Sequence, residues 1–107
     1  AFSGDRRFFF GSDSAPHPRA AKECGSGAGG IYSSPVALPL LAELFADNGA
    51  AGRLSDFTGR YGAEFYGLPL NEGQLTLGED PWIVPAEYHG VVPLWAGRSV
   101  RFRKILP

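Results

Sequence analysis

Asp13 and His17 are two titratable side chains four positions apart, set just beyond the apolar run Phe8-Phe9-Phe10 and the step Gly11-Ser12. A buried strand that stops at an aspartate places that carboxylate at the strand's C-terminal mouth, where α/β barrels hold their catalytic groups. A carboxylate there can take a proton from a nucleophile or from substrate. His17 lies in the loop that follows, within reach of the same pocket. Read without context, Asp13 also fits an Asx-turn after a strand, and His17 a loop histidine. Downstream, Gly25, Gly27, Gly29 and Gly30 allow a backbone to approach a ligand where a Cβ would clash, although a flexible linker has the same composition.

The elements that must carry these residues follow from patterning. Arg7 to Gly11 reads as a short, fully buried strand, continuously apolar as a parallel strand covered on both faces would be. Residues 12–30 form a loop too long for an ordinary connector, and loops of that length tend to be functional or disordered. Ser34-Pro35 marks a helix start. Val36, Leu40, Leu41, Leu44 and Phe45 follow at helical spacing, with Pro39 expected to kink or delay the helix and Asn48-Gly49 to stop it. A second helix is expected from about Ser55, turning Leu54, Phe57 and Tyr61 inward and ending at Gly62, with a compact apolar turn over 64–69. From Gln74 the period becomes that of strands: Leu75/Leu77, Trp82-Ile83-Val84, Val91-Val92 and Val100/Phe102, punctuated by Pro81, Pro85, Gly90, Pro93 and Gly97. One leading strand cannot make a parallel sheet alone, so the pattern suggests the end of a larger α/β protein.

Composition narrows the classes. The chain has 107 residues, a net charge of −1 and a single cysteine. The near-neutral charge argues against an electrostatic nucleic-acid or membrane surface. The basic residues Arg98, Arg101, Arg103 and Lys104 alternate with Val100 and Phe102, as on the solvated face of a strand. One cysteine excludes an internal disulfide, no apolar stretch approaches membrane-spanning length, and no signal-peptide pattern is present. The expected setting is cytoplasmic.

The run Gly11-Ser12-Asp13-Ser14-Ala15-Pro16-His17, then Lys22-Glu23, the glycine-rich stretch to Gly30 and Ser34-Pro35-Val36-Ala37-Leu38, closely resembles bacterial class II dihydroorotase. Phe65-Tyr66-Gly67-Leu68-Pro69 and the tail Val91-Val92-Pro93, Ala96-Gly97 and Val100-Arg101-Phe102 match as well. The resemblance covers essentially the whole chain and only the C-terminal third of the family. It implies an α/β fold class: a C-terminal fragment of a (β/α)8 barrel of amidohydrolase type. Residues 1–69 would be the last strand, the long active-site loop and the closing helices, and residues 70–107 a β-rich C-terminal extension.

The family interconverts N-carbamoyl-L-aspartate and dihydroorotate in pyrimidine synthesis, using two zinc ions bridged by a carboxylated lysine. By resemblance Asp13 ligates one zinc and is the general base for the attacking water. Zinc brings the pKa of bound water to about 7, so a weak base suffices. His17 then binds the substrate carboxylate, and the backbone of Gly29 binds substrate. Many members carry alanine at that position in a Cys-Gly-Cys-Ala-Gly run, where this chain has Ser26-Gly27-Ala28-Gly29-Gly30. Cys24 is expected to be a buried or loop thiol and His89 a solvent-facing turn residue.

The remaining metal ligands of the family have no counterpart among the two histidines of this chain. The resemblance therefore implies a dependence on the rest of the barrel, in the same polypeptide or another. It also implies a small-molecule substrate, a homodimer, and no nucleic-acid or membrane partner. Two other readings stay open. One is a relative acting on another cyclic amide, hydantoinase- or allantoinase-like. The other is a non-catalytic interaction module that pairs its exposed Phe8-Phe9-Phe10 strand with a partner's sheet edge.

Overall fold

The computed structural model describes residues 1–22 and 29–105. The stretch holding Cys24, Gly25 and Gly27, with Glu23 of the Lys22-Glu23 pair, lies outside the described residues. The elements in order are helix α1 (Arg19–Lys22), helix α2 (Ala37–Asp47), a 3₁₀ turn (Ala51–Arg53), a π-helical turn (Asp56–Arg60), helix α3 (Tyr61–Tyr66) and strands β1 (Thr76–Ile83) and β2 (Ser99–Ile105). Among the described residues, no helix is long and apolar enough to cross a membrane.

The expected leading strand is not formed. Arg7 lies in a turn, residues 8–11 belong to no helix or ladder, and Phe8 is 56% exposed. A strand exists only through a paired neighbour, and none lies beside it among the described residues. Its backbone turns to other partners: the Phe8 N–H donates to the Asp5 carbonyl at 3.1 Å and the Phe10 N–H to the Phe57 carbonyl at 3.0 Å. Phe9 packs its ring on Phe65 and Tyr66, with centroids 5.4 and 6.0 Å away. The segment is thus held against the second helical stretch rather than in a sheet.

Ahead of that segment, the Arg7 guanidinium hydrogen-bonds the Asp5 carboxylate, with Nη2 to Oδ2 at 2.7 Å. This contact, reinforced by the Arg7 backbone N–H, holds the Asp5 carboxyl down at about 2. A depressed carboxyl contributes stability that is present above its unfolded pKa and lost as pH falls through the folded value. An NMR titration of the Asp5 carboxyl carbon is expected to have its midpoint near 2. Arg7→Ala should raise it toward the ordinary carboxylate range, with the residue 7 backbone N–H still holding part of the shift.

Helix α2 begins later than Ser34. Val36 occupies the cap position without a side-chain cap, and residues 34–36 form a turn closed by the Val36 N–H on the Ser33 carbonyl at 3.1 Å. Helix α2 runs unbroken through Pro39. This proline is the third helical residue, where an N–H would have no intrahelical acceptor, so nothing is lost. Asn48 and Gly49, the latter at φ +66°, end the helix as expected. Of the spaced apolar residues, Val36, Leu40 and Phe45 are buried, whereas Leu44 is half exposed.

The second helical stretch runs from Leu54 through Tyr66, past Gly62. Ser55 is helical and makes no cap hydrogen bond. The Thr58 hydroxyl donates to the Leu54 carbonyl at 2.9 Å, competing for the acceptor that a regular helix would give its own N–H. The ladder widens there into the π-turn, with the Tyr61 N–H reaching Asp56. Gly62 serves contact rather than termination: a Cβ there would stand 3.3 Å from the Phe9 ring. The helix stops at Gly67, at φ +66°, where the Leu68 N–H donates back to Ala63 at 2.9 Å in a Schellman arrangement.

The four expected strand segments become one antiparallel hairpin. Thr76 pairs with Ile105 and Ile83 with Ser99, and β1 runs straight across Pro81. The register slips between Glu79 and Trp82, a bulge that accommodates a proline unable to donate to the ladder. Val91 makes only an isolated bridge with Tyr88. Val36 at the cap of α2 and Leu40 within it meet Val84 and Val100 of the hairpin region in the core, with Trp82, Leu94 and Trp95 around them. The three valines are fully buried, each contributing roughly 1.5–3 kcal/mol. Arg101 is not a purely solvated residue. Its N–H donates to Glu43 at 2.6 Å and its guanidinium to Asp47 at 2.8 Å, fastening β2 to α2.

Candidate functional site

The turn after Phe10 is built around an unusual backbone. Asp13 adopts φ +45°, in the left-handed region that most L-residues avoid and that Asp and Asn tolerate best. Its carboxylate is exposed and folds back over Gly11, whose missing Cβ would stand 3.9 Å from Oδ1. An outlier of this kind is held by its surroundings, and the surroundings here are specific. The half-buried Ser14 hydroxyl accepts the N–H groups of Ser33 and Ser34, both at 3.1 Å. The Ser33 hydroxyl donates to the Ser12 carbonyl at 3.3 Å. Ser14 and Ile31 form a parallel bridge, and the Ala15 N–H donates to the Ile31 carbonyl at 2.9 Å.

The Gly30–Ile31 backbone is therefore laid alongside the Asp13 turn. Gly30, at φ +98°, is in contact so close that a Cβ would come within 2.4 Å of the Ala15 Cβ. Gly29 faces open space, with nothing within 4 Å of where its Cβ would be. His17 is exposed on the same loop, two residues ahead of α1. The tail closes the bracket from outside. Tyr32 bridges to Pro93, the Leu94 N–H donates to the Tyr32 carbonyl at 2.8 Å, and the Arg19 N–H donates to Gly90 at 3.0 Å. Tyr32 and Tyr88 meet edge to face with centroids 6.3 Å apart. His89 is exposed at φ +48° in the tail turn, as its position in the sequence suggests.

So the fold draws the Asp13 turn and the Gly29–Gly30 backbone together through Ser14, Ala15 and Ile31, and leaves the Asp13 and His17 side chains open to solvent. Ser14 was not among the residues singled out from sequence, although its place beside Asp13 in Ser12-Asp13-Ser14 was a usable signal. A broad cleft between residues 55–66 and 68–74 does not include Asp13, His17 or Gly29. Among the described residues, no three His, Cys, Asp or Glu side chains cluster as a metal site would require.

No family model matches the chain. Individual proteins do. It is 53% identical over 107 residues to a dihydroorotase of Halorhodospira halophila and 47% identical to one of Coxiella burnetii; each match takes in 96% of this chain and 31% of the relative. Among solved structures, the dihydroorotase of Campylobacter jejuni matches with a TM-score of 0.84 at 41% identity, over 98% of this chain and 31% of the other. The dihydroorotase of Saccharomyces cerevisiae, solved with 5-fluoroorotic acid, matches with a TM-score of 0.86 at 29% identity, over 97% of this chain and 31% of the other. These likenesses give the chain the fold of an α/β amidohydrolase segment. Within that class it is a homologue of the dihydroorotases. It spans about a third of the length of the relatives it matches, consistent with a C-terminal fragment.

Proposed function

We propose that these residues are the C-terminal part of a dihydroorotase, residues 1–69 ending the barrel and residues 70–107 forming its extension. The whole protein interconverts N-carbamoyl-L-aspartate and dihydroorotate. The match at 53% identity over 96% of the chain to a protein of that name carries the reading. It also favours dihydroorotate over the substrates of hydantoinases or allantoinases, and an enzyme segment over a free-standing interaction module.

In this reading the exposed Asp13 carboxylate accepts the proton of the water that attacks the ring carbonyl, and also ligates metal. The family's zinc ions, when bound, supply Lewis acidity and lower the pKa of water. Residues outside this segment provide their other ligands. His17 holds the substrate carboxylate through a charge-assisted hydrogen bond. Gly29 offers its backbone, in keeping with the open space around its Cα. The rest of the barrel is the obligatory partner, the assembled protein is a homodimer, and its setting is the cytoplasm.

The test is a chimera in which these 107 residues replace the matching 31% of the Halorhodospira halophila dihydroorotase. The chimera is expected to turn over dihydroorotate and to contain about two zinc ions per chain by elemental analysis, a count taken from the family resemblance. The isolated, purified segment is expected to show no turnover. A correctly folded chimera without turnover would refute the assignment, and turnover by the segment alone would refute its dependence on the rest of the barrel.

A further inference from the structure

The residue flanking the proposed base is tied down more firmly than the base itself. Ser14 accepts two consecutive N–H groups through one hydroxyl, using both of its acceptor lone pairs. Ser33 is bound to both neighbours of Asp13: its N–H to the Ser14 hydroxyl and its own hydroxyl to the Ser12 carbonyl. Ser33 in turn accepts the N–H of Val36, which is fully buried in the core at the start of α2. A continuous path therefore runs from the core through Ser33 to either side of an exposed carboxylate on left-handed backbone. On the far side, a Cβ at Gly30 would come within 2.4 Å of the Ala15 Cβ, so the close approach of these two backbones requires glycine.

We propose that Ser14 is a positioning residue: its hydroxyl clasps the Ser33–Ser34 backbone and sets the place of the Asp13 carboxylate relative to the Gly30–Ile31 backbone. The inference rests on the reading of Asp13 as the base. A carboxylate on an exposed turn has no side-chain packing to aim it, so its aim comes from its backbone. A displacement of about 1 Å in a reacting group can cost on the order of 100-fold in rate. The clasp acts on Asp13, so its loss should appear in kcat and not in substrate capture by His17.

The experiment uses the chimera and measures kcat and KM for Ser14→Ala, Ser14→Thr and Asp13→Asn, with amide hydrogen exchange at Ser33 and Ser34. Ser14→Ala is expected to lower kcat about tenfold to a hundredfold, to leave KM within a few-fold, and to speed exchange at both amides. Ser14→Thr, which keeps the hydroxyl, should restore slow exchange and most of kcat. Unchanged kcat in Ser14→Ala with faster exchange at both amides would overturn the positioning role while leaving Asp13 as base. Full activity in Asp13→Asn would overturn the reading itself. Should Ser14→Ala fail to fold, Ser14→Cys keeps the volume with a weaker acceptor. It is expected to show a smaller kcat loss in the same direction, and wild-type kcat there would equally sink the proposal.

Discussion

Asp13→Asn in the chimera is expected to lower turnover by about 10²–10⁴-fold, the range that removal of a general base ordinarily costs, with thermal stability nearly unchanged. The two halves of that expectation have separate causes. Asparagine keeps the volume of aspartate and is one of the few residues that occupy left-handed backbone readily, so the φ of +45° at this position survives the change. The side chain is exposed in this segment, and substitutions at exposed positions usually stay within about 0.5 kcal/mol. What disappears is the negative charge, and with it the ability to accept a proton and the carboxylate ligand that the proposed function gives to the metal. Steady-state kinetics and a melting curve on the same preparation check both halves. Retained turnover would remove Asp13 from the chemistry, and a large fall in melting temperature would make it a structural turn residue instead.

The legibility of this chain divides along the range of the interactions involved. Local signals read well in part: the stop at Asn48-Gly49 and the strand period at Leu77, Trp82-Ile83 and Val100/Phe102 are written in single residues and their neighbours, whereas Val91-Val92 forms no strand. Readings that depended on partners distant in sequence fared differently. Phe8-Phe9-Phe10 has the composition of a buried parallel strand, but a strand needs a neighbour, and Phe10 bonds to Phe57 instead. Gly62 has the look of a helix stop and turns out to be a seat for the Phe9 ring, a contact that no window of local sequence displays. Pro81 marks a break by every local rule, yet β1 absorbs it as a bulge because β2 supplies pairs on either side.

The site shows the same division. Asp13, His17 and Gly29 stand out by type, spacing and family resemblance. The fold's own contribution is how the Asp13 turn is held: a serine hydroxyl on two amides, and a glycine pressed against Ala15. The proposed metal centre is not legible for a simpler reason: the histidines that the family resemblance calls for are not in this sequence, which has two in all.

The largest effect on stability is expected from Phe45→Ala, at about 3–5 kcal/mol. Phe45 is 1% exposed in the last turns of α2, its ring edge-on to Phe2 at 4.9 Å and 5.1 Å from Phe57. Truncation removes the transfer free energy of a phenyl ring and leaves a cavity that three separate segments would have to move to fill. Against a total stability of roughly 5–15 kcal/mol, that is a large share. The damage would also travel. Phe57 packs against Phe10 with centroids 6.4 Å apart, and its carbonyl accepts the Phe10 N–H at 3.0 Å. Phe10 is three residues from Asp13, so loosening Phe57 loosens the approach to the proposed base. Urea unfolding of the chimera should show a lowered midpoint at unchanged slope, and turnover should fall before global unfolding begins. Leu44→Ala on the same helix, at a half-exposed position, is the matched control and should cost far less. Equal losses for the two would mean that the aromatic cluster around Phe45 is not what holds α2 to the segment leading into Asp13.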